Sequence, residues 1–254
     1  SPLTAQAAQP LRLDVYNPGA KSMFPVSSEI VTGQADAVLI DAQFQRNDAE
    51  ALVQKIKATG KKLTTVYISH SDPDYYFGLD VIQAAFPEAK IVATPQTVAA
   101  IQASKDGKLA HWGPVLKDNA PKALVVPQPL AGDSIELEGR KIQVVGLDGP
   151  TPERSFAWIP SLKAVVGGIP VSANIHVWVA DTQTPESRRE YRTLLTRHFR
   201  EHEAALDADS LRRLDGNPLR ILDSKNPAMQ TLIADAPIIT DHLDDESAAH
   251  FATL

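Results

Sequence analysis

Four side chains able to do chemistry, His70, Asp72, Asp74 and Tyr75, fall within six residues in the stretch His70-Ser-Asp-Pro-Asp-Tyr75. Two carboxylates this close repel each other and raise one another's pKa, whereas a bound divalent cation relieves the repulsion and holds both ionised. One imidazole with several carboxylates is a harder ligand set than a His-rich one, so manganese, iron or magnesium would compete with zinc. A plainer reading is a polar turn: Asp and Pro are favoured turn residues, and His70 would then only cap a strand end. The residues alone leave both open.

The apolar run over 63–69 predicts a strand that delivers His70 at its carboxyl end, where ligands collect in α/β sheets. Further strands are expected over 37–42, 90–94, 123–126, 142–147, 156–159 and 164–166. A helix over 48–59 carries Ala49, Leu52, Val53 and Ile56 on one face and meets Gly60. A second starts at Thr94-Pro95 and is expected to stop at Gly107. Alternating strands and helices indicate a layered α/β domain. His111-Trp112 lies in a Gly/Pro-rich stretch, where an isolated His reads as a surface residue.

Composition narrows the partners. The 254 residues carry a net charge of -6, giving no general attraction to nucleic acid or anionic membranes. With no cysteine, thiolate catalysis, disulfides and Cys-built zinc sites are excluded. No apolar run is long enough to span a bilayer, so no membrane partner is expected. The chain starts at Ser1, and the Ala-rich residues 1–10 read as a leader, either a remnant of an export signal or a disordered end. A periplasmic or secreted location is slightly favoured on that ground.

Ile68-Ser-His-Ser-Asp-Pro-Asp-Tyr-Tyr-Phe-Gly78 resembles the His-x-His-x-Asp-His loop of the metallo-β-lactamase superfamily. Ala37-Val-Leu-Ile-Asp41 resembles that family's early strand ending in Asp, and Gly149-Pro-Thr-Pro152 its Gly-His-Thr-Pro loop. The resemblance covers about residues 11–186 and implies an αββα sandwich. It also implies a metal-activated water that attacks an ester, lactam or phosphoester of a small-molecule substrate. It places His70, Asp72 and Asp74 as metal ligands, with Asp74 also orienting the water. His176 is a further ligand candidate from a neighbouring loop, and Tyr75, Asp148 and Asn174 are pocket residues. The family's ligand set is altered: Asp72 and Tyr75 stand where it has His, Pro150 replaces a later His, and Gly168 replaces a bridging Asp. An altered hydrolase site is therefore expected, with a non-catalytic binding protein as the alternative.

After Thr184-Pro-Glu186 the sequence becomes charged and helical, which places a boundary near 187. Asn217-Pro-Leu-Arg-Ile-Leu-Asp-Ser-Lys225 and the flanking residues of 190–254 resemble the helical insertion of histidyl-tRNA synthetase. That family is cytoplasmic, and its ATP- and histidine-binding motifs are not in this chain. Aminoacylation is thus not expected. Nine Lys/Arg against twelve Asp/Glu leave 187–254 at -3, so tRNA is the one nucleic acid considered, and only through this tail. The juxtaposition has the pattern of a fused or recombined chain.

Overall fold

The computed structural model describes residues 9–146 and 154–167. Asp148, Pro150, Gly168, Asn174, His176 and all of 187–254 lie outside the described residues.

Six strands form one mixed sheet in the order β1 to β6: β1 Arg12–Tyr16, β2 Ser28–Thr32, β3 Asp36–Ile40, β4 Lys62–Ile68, β5 Lys90–Ala93 and β6 Gln128–Pro129. The first two pairings are antiparallel and the remaining three parallel. A second, antiparallel sheet runs in the order β10-β9-β8-β7, from Ser134–Leu137 (β7), Arg140–Val145 (β8), Phe156–Ile159 (β9) and Ala164–Val166 (β10).

The central strands become continuously apolar toward their carboxyl ends, at residues 38–40, 66–68 and 91–93, because both of their faces are covered there. Val31, Val38, Ile40, Tyr67 and Val92 point at the second sheet and meet Ile142, Phe156 and Trp158. Their alternates, Ile30, Leu39, Ile68, Ile91 and Ala93, point the other way, into a core closed by helices. Those helices are α1 (Arg46–Ala58), α3 (Leu79–Ala85) and α4 (Pro95–Leu116), while α2 (Pro73–Tyr76) is a single turn in the loop after β4. The described residues therefore build helix, sheet and sheet layers of the expected α/β sandwich.

Three expectations are corrected. The second long helix does not stop at Gly107 but continues to Leu116. A Cβ on Gly107 would meet nothing, so the residue is an ordinary helical position, and the packing of Leu109, Trp112 and Leu116 beyond it outweighs the propensity cost of glycine. Residues 123–126 are not a strand; pairing begins at Gln128. β1, β2 and β7 were not expected, since Arg12–Tyr16 and Ser134–Leu137 are short strands with polar residues among the apolar ones.

Candidate active site

β4 sets Tyr67 in the core and leads directly into the buried Ser69 and His70, and the loop that follows is clamped to the end of β3. The Ala42 N–H donates to the Tyr75 carbonyl at 2.8 Å, and the Gly78 N–H to the Gln43 carbonyl at 2.9 Å. The two segments approach so closely that a Cβ on Gly78 would lie 2.1 Å from the Ala42 carbonyl oxygen. Glycine at 78 is thus a packing requirement, and it fixes where α2 presents Asp74 and Tyr75.

His70 is fully buried and stacks on Tyr75, with centroids 4.6 Å apart and planes 28° from parallel. Behind it, the Ser69 hydroxyl donates to Asp41 Oδ2 at 2.7 Å and the Ser69 N–H to Asp41 Oδ1 at 2.8 Å. Ser69 Oγ also lies 2.7 Å from His70 Nδ1. With the single hydroxyl proton committed to Asp41, the imidazole donates from Nδ1 and keeps its lone pair on Nε2. Burial, and secondarily the Arg154 charge, hold its pKa well below the ordinary histidine value, so the ring is neutral at pH 7.

The carboxyl groups are pushed the other way. Burial and the neighbouring Asp72 raise Asp74 to about 7, against the lowering influence of Lys108 and Arg154. Burial likewise raises Asp41 to about 7, although two hydrogen bonds from Ser69 oppose it. Glu29, fully enclosed beside Asp41, is raised as well, by burial first and by the Asp41 charge second.

Two cations reach this cluster from distant sequence. Arg154, 1% exposed, places a guanidinium nitrogen 3.4 Å from Asp72 Oδ1. Its backbone is held by an antiparallel bridge to His70, and the Ser155 N–H donates to the Ser69 carbonyl at 2.9 Å. The Ser155 hydroxyl meets Tyr67 Oη at 2.5 Å and donates to the Ser69 carbonyl at 2.9 Å, which ties the second sheet to the end of β4. From α4, Lys108 Nζ donates to the Ser71 carbonyl at 2.5 Å.

Of the expected site residues, His70 and Tyr75 stack on each other, Asp72 on the same loop pairs with Arg154, and Asp74 lies beside Asp72; His176, Asp148 and Asn174 lie outside the described residues. Among the described residues no group of three or more His, Asp or Glu side chains converges as a metal cradle. Arg154 and Lys108 were missed. The only signal for Arg154 was its position just after Gly149-Pro-Thr-Pro152, and the expected helix end at Gly107 hid Lys108.

The sandwich and the loop after β4 find their counterpart in a family model. The description "Metallo-beta-lactamase superfamily" matches residues 23–219. The chain belongs to the metallo-beta-lactamase superfamily. Solved members of similar fold include a metallo-beta-lactamase from Pontibacter korlensis, 17% identical with a TM-score of 0.54, covering 76% of this chain and 88% of that one. A metallo-beta-lactamase family protein from Thermus thermophilus is 14% identical with a TM-score of 0.53, covering 74% of this chain and 68% of that one. At such identities the likeness concerns the fold alone. A separate, shorter likeness is to histidine--tRNA ligases. The enzyme of Methylobacillus flagellatus is 61% identical over 64 residues, 25% of this chain and 15% of the ligase. That of Hydrogenovibrio crunogenus is 46% identical over 81 residues, 32% of this chain and 19% of the ligase. The chain thus spans less than a fifth of the length of these ligases.

Superfamily members usually bind divalent metals. The described residues do not fit the family's two-metal set: Tyr75 stacks on His70 where a ligand would stand, and the Arg154 guanidinium brings its own positive charge to Asp72. A second cation beside Asp72 would be repelled by it.

Proposed function

We propose that this chain is a small-molecule-binding member of the superfamily whose hydrolase site has been altered, with protein cations taking over the charge role of the metal. The observation that supports this most directly is the ion pair between the buried Arg154 guanidinium and the partly buried Asp72 of the His70 loop. Arg154 pairs with Asp72, and Lys108 and Arg154 both oppose the rise of the Asp74 pKa. The test is elemental analysis and calorimetry with zinc and manganese, beside an assay panel of lactam, ester and phosphodiester substrates. The expected result is no stoichiometric metal and no chelator-sensitive turnover in the wild type. Metal-dependent turnover abolished by Asp74→Asn would overturn it.

A second reading, metal-dependent hydrolysis with His70, Asp72, Asp74 and His176 as ligands and Asp74 as base, is favoured by one observation. Asp72 Oδ2 is buried and has no hydrogen-bond partner among the described residues, as a ligand oxygen awaiting a cation would. The same assays decide between the two, because only this reading requires micromolar metal affinity at the wild-type loop.

We also propose the division into a sandwich domain over 11–186 and a tail over 187–254 derived from a histidine--tRNA ligase by fusion or recombination. Among the described residues no helix is long and apolar enough to cross a membrane. A salt-dependent tRNA gel shift that survives deletion of residues 1–180 would support a tRNA role for the tail; no shift at low salt would end it.

A further inference from the structure

We infer that the groove between the outer edge of β1 and the last turn of α1 binds a small phosphorylated molecule. The register of β1 against β2 sets Arg12 opposite Thr32, Asp14 opposite Ile30 and Tyr16 opposite Ser28. Directly opposed residues share a face, and Ile30 belongs to the core beneath the helices. Arg12, Asp14 and Tyr16 therefore stand on the face where α1 packs, but at the edge that α1 leaves uncovered. The result is an open groove of about 530 Å³, within the size range of small-molecule sites.

Its charge is the informative feature. Arg12, Lys55 and Lys61 all line it against a single acid, Asp14, on a chain whose net charge is -6. None of the three cations forms an ion pair among the described residues. Lys55 is held over the Tyr16 ring, 5.8 Å from its centroid, and Lys61 Nζ is anchored at 2.5 Å on the Gln34 carbonyl. Three unneutralised cations around one groove suit a multiply charged anion, and the fork of Arg12 matches phosphate oxygens in pairs. A lone carboxylate would engage only one of them. The Tyr16 ring offers an apolar wall for the organic part, and the Asp14 carboxylate an acceptor for a ligand hydroxyl.

The groove is separate from the His70 loop. Lys61 precedes the first residue of β4 and His70 follows its last by two. The seven residues of that strand hold the two apart by roughly 20 Å.

Pyrophosphate titrated calorimetrically into the full chain at low ionic strength tests the assignment. Saturable binding is expected, weakened about tenfold or more by the double substitution Arg12→Ala with Lys55→Ala, and reduced by added salt. His70→Ala should leave the affinity within about twofold, since the site lies elsewhere. Arg12 and Lys55 are exposed, and unchanged melting of the double variant separates lost binding from lost folding. No saturable binding by the wild type, equal binding by the double variant, or loss on His70→Ala alone would each overturn the proposal.

Discussion

The two ends of the central sheet treat carboxylates in opposite ways. At the end where β4 meets the His70 loop, the fully buried Asp41 and the partly buried Asp74 are both pushed up to about 7. At the other end, Glu138 reaches from the β7–β8 turn to the turn before β3. There its oxygens accept the N–H groups of Gln34, Ala35 and Asp36 at 2.8, 2.7 and 2.9 Å, which lower its pKa. Glu138 thus joins the two sheets with a charge that favours the folded state. The carboxyls at the loop instead oppose folding when they ionise. A cluster of groups that costs stability, is enclosed and is partly offset by Arg154 and Lys108 is what a functional site looks like; the Glu138 contact is what a structural tie looks like.

The contrast breaks most easily at Arg154. Arg154→Ala leaves the partly buried Asp72 carboxylate, 18% exposed, without its guanidinium partner, and a loss of about 3 kcal/mol, the lower end for a buried pair, is expected in urea unfolding. A loss below about 1 kcal/mol would mean that Arg154 is not the charge centre of the loop.

Next comes Asp74. A carboxyl whose folded pKa is raised favours the folded state while protonated, and that contribution disappears as pH rises through about 7. Asp74→Asn removes this dependence. The variant should therefore gain about 2–3 kcal/mol on the wild type between pH 5 and pH 8 in parallel urea titrations. The depressed His70 works in the opposite direction, losing stability as pH falls below the ordinary histidine value, but it is common to both proteins and cancels in the difference. A pH-independent difference would show that Asp74 ionises normally.

Gly78→Ala sharpens the loop's geometry rather than its charge. A methyl 2.1 Å from the Ala42 carbonyl forces the loop off β3, at a cost of about 1–3 kcal/mol. A change in the His70–Tyr75 stacking, read as a shift of the His70 ring signals in NMR, should accompany it. The smallest effect is expected at Glu138, which is solvent-facing. Glu138→Gln should lower the melting temperature slightly at pH 7, and the difference should vanish as pH falls through the depressed pKa of the wild-type carboxyl. A difference that persists at low pH would mean that hydrogen bonding without charge suffices to join the sheets.

How much of this was legible can be seen residue by residue. The runs over 37–42 and 63–69 read as strands and are β3 and β4; that both of their faces are covered is seen only in the folded chain. His70, Asp72, Asp74 and Tyr75 were conspicuous because six consecutive residues carried them. Gly107 misled because its signal is local, whereas the continuation of α4 depends on what Trp112 and Leu116 touch. The short strands Arg12–Tyr16 and Ser134–Leu137 lacked a clear alternation, and only their partners make them strands.

The sequence by itself carried the family resemblance, in the segments 37–41, 68–78 and 149–152, together with the alternation of strands and helices that marks a layered class and the identity of the side chains in the loop. The tertiary structure alone decided what surrounds that loop. Arg154 is 82 residues from Asp72 and Lys108 is 37 from Ser71, and no local rule relates them. The tie of Ser155 to the end of β4 and the course of α4 past Gly107 bring both cations to the carboxylates. That encounter sets positive charge beside the carboxylates of the loop, since the electrostatics of a buried group are set by its neighbours in space.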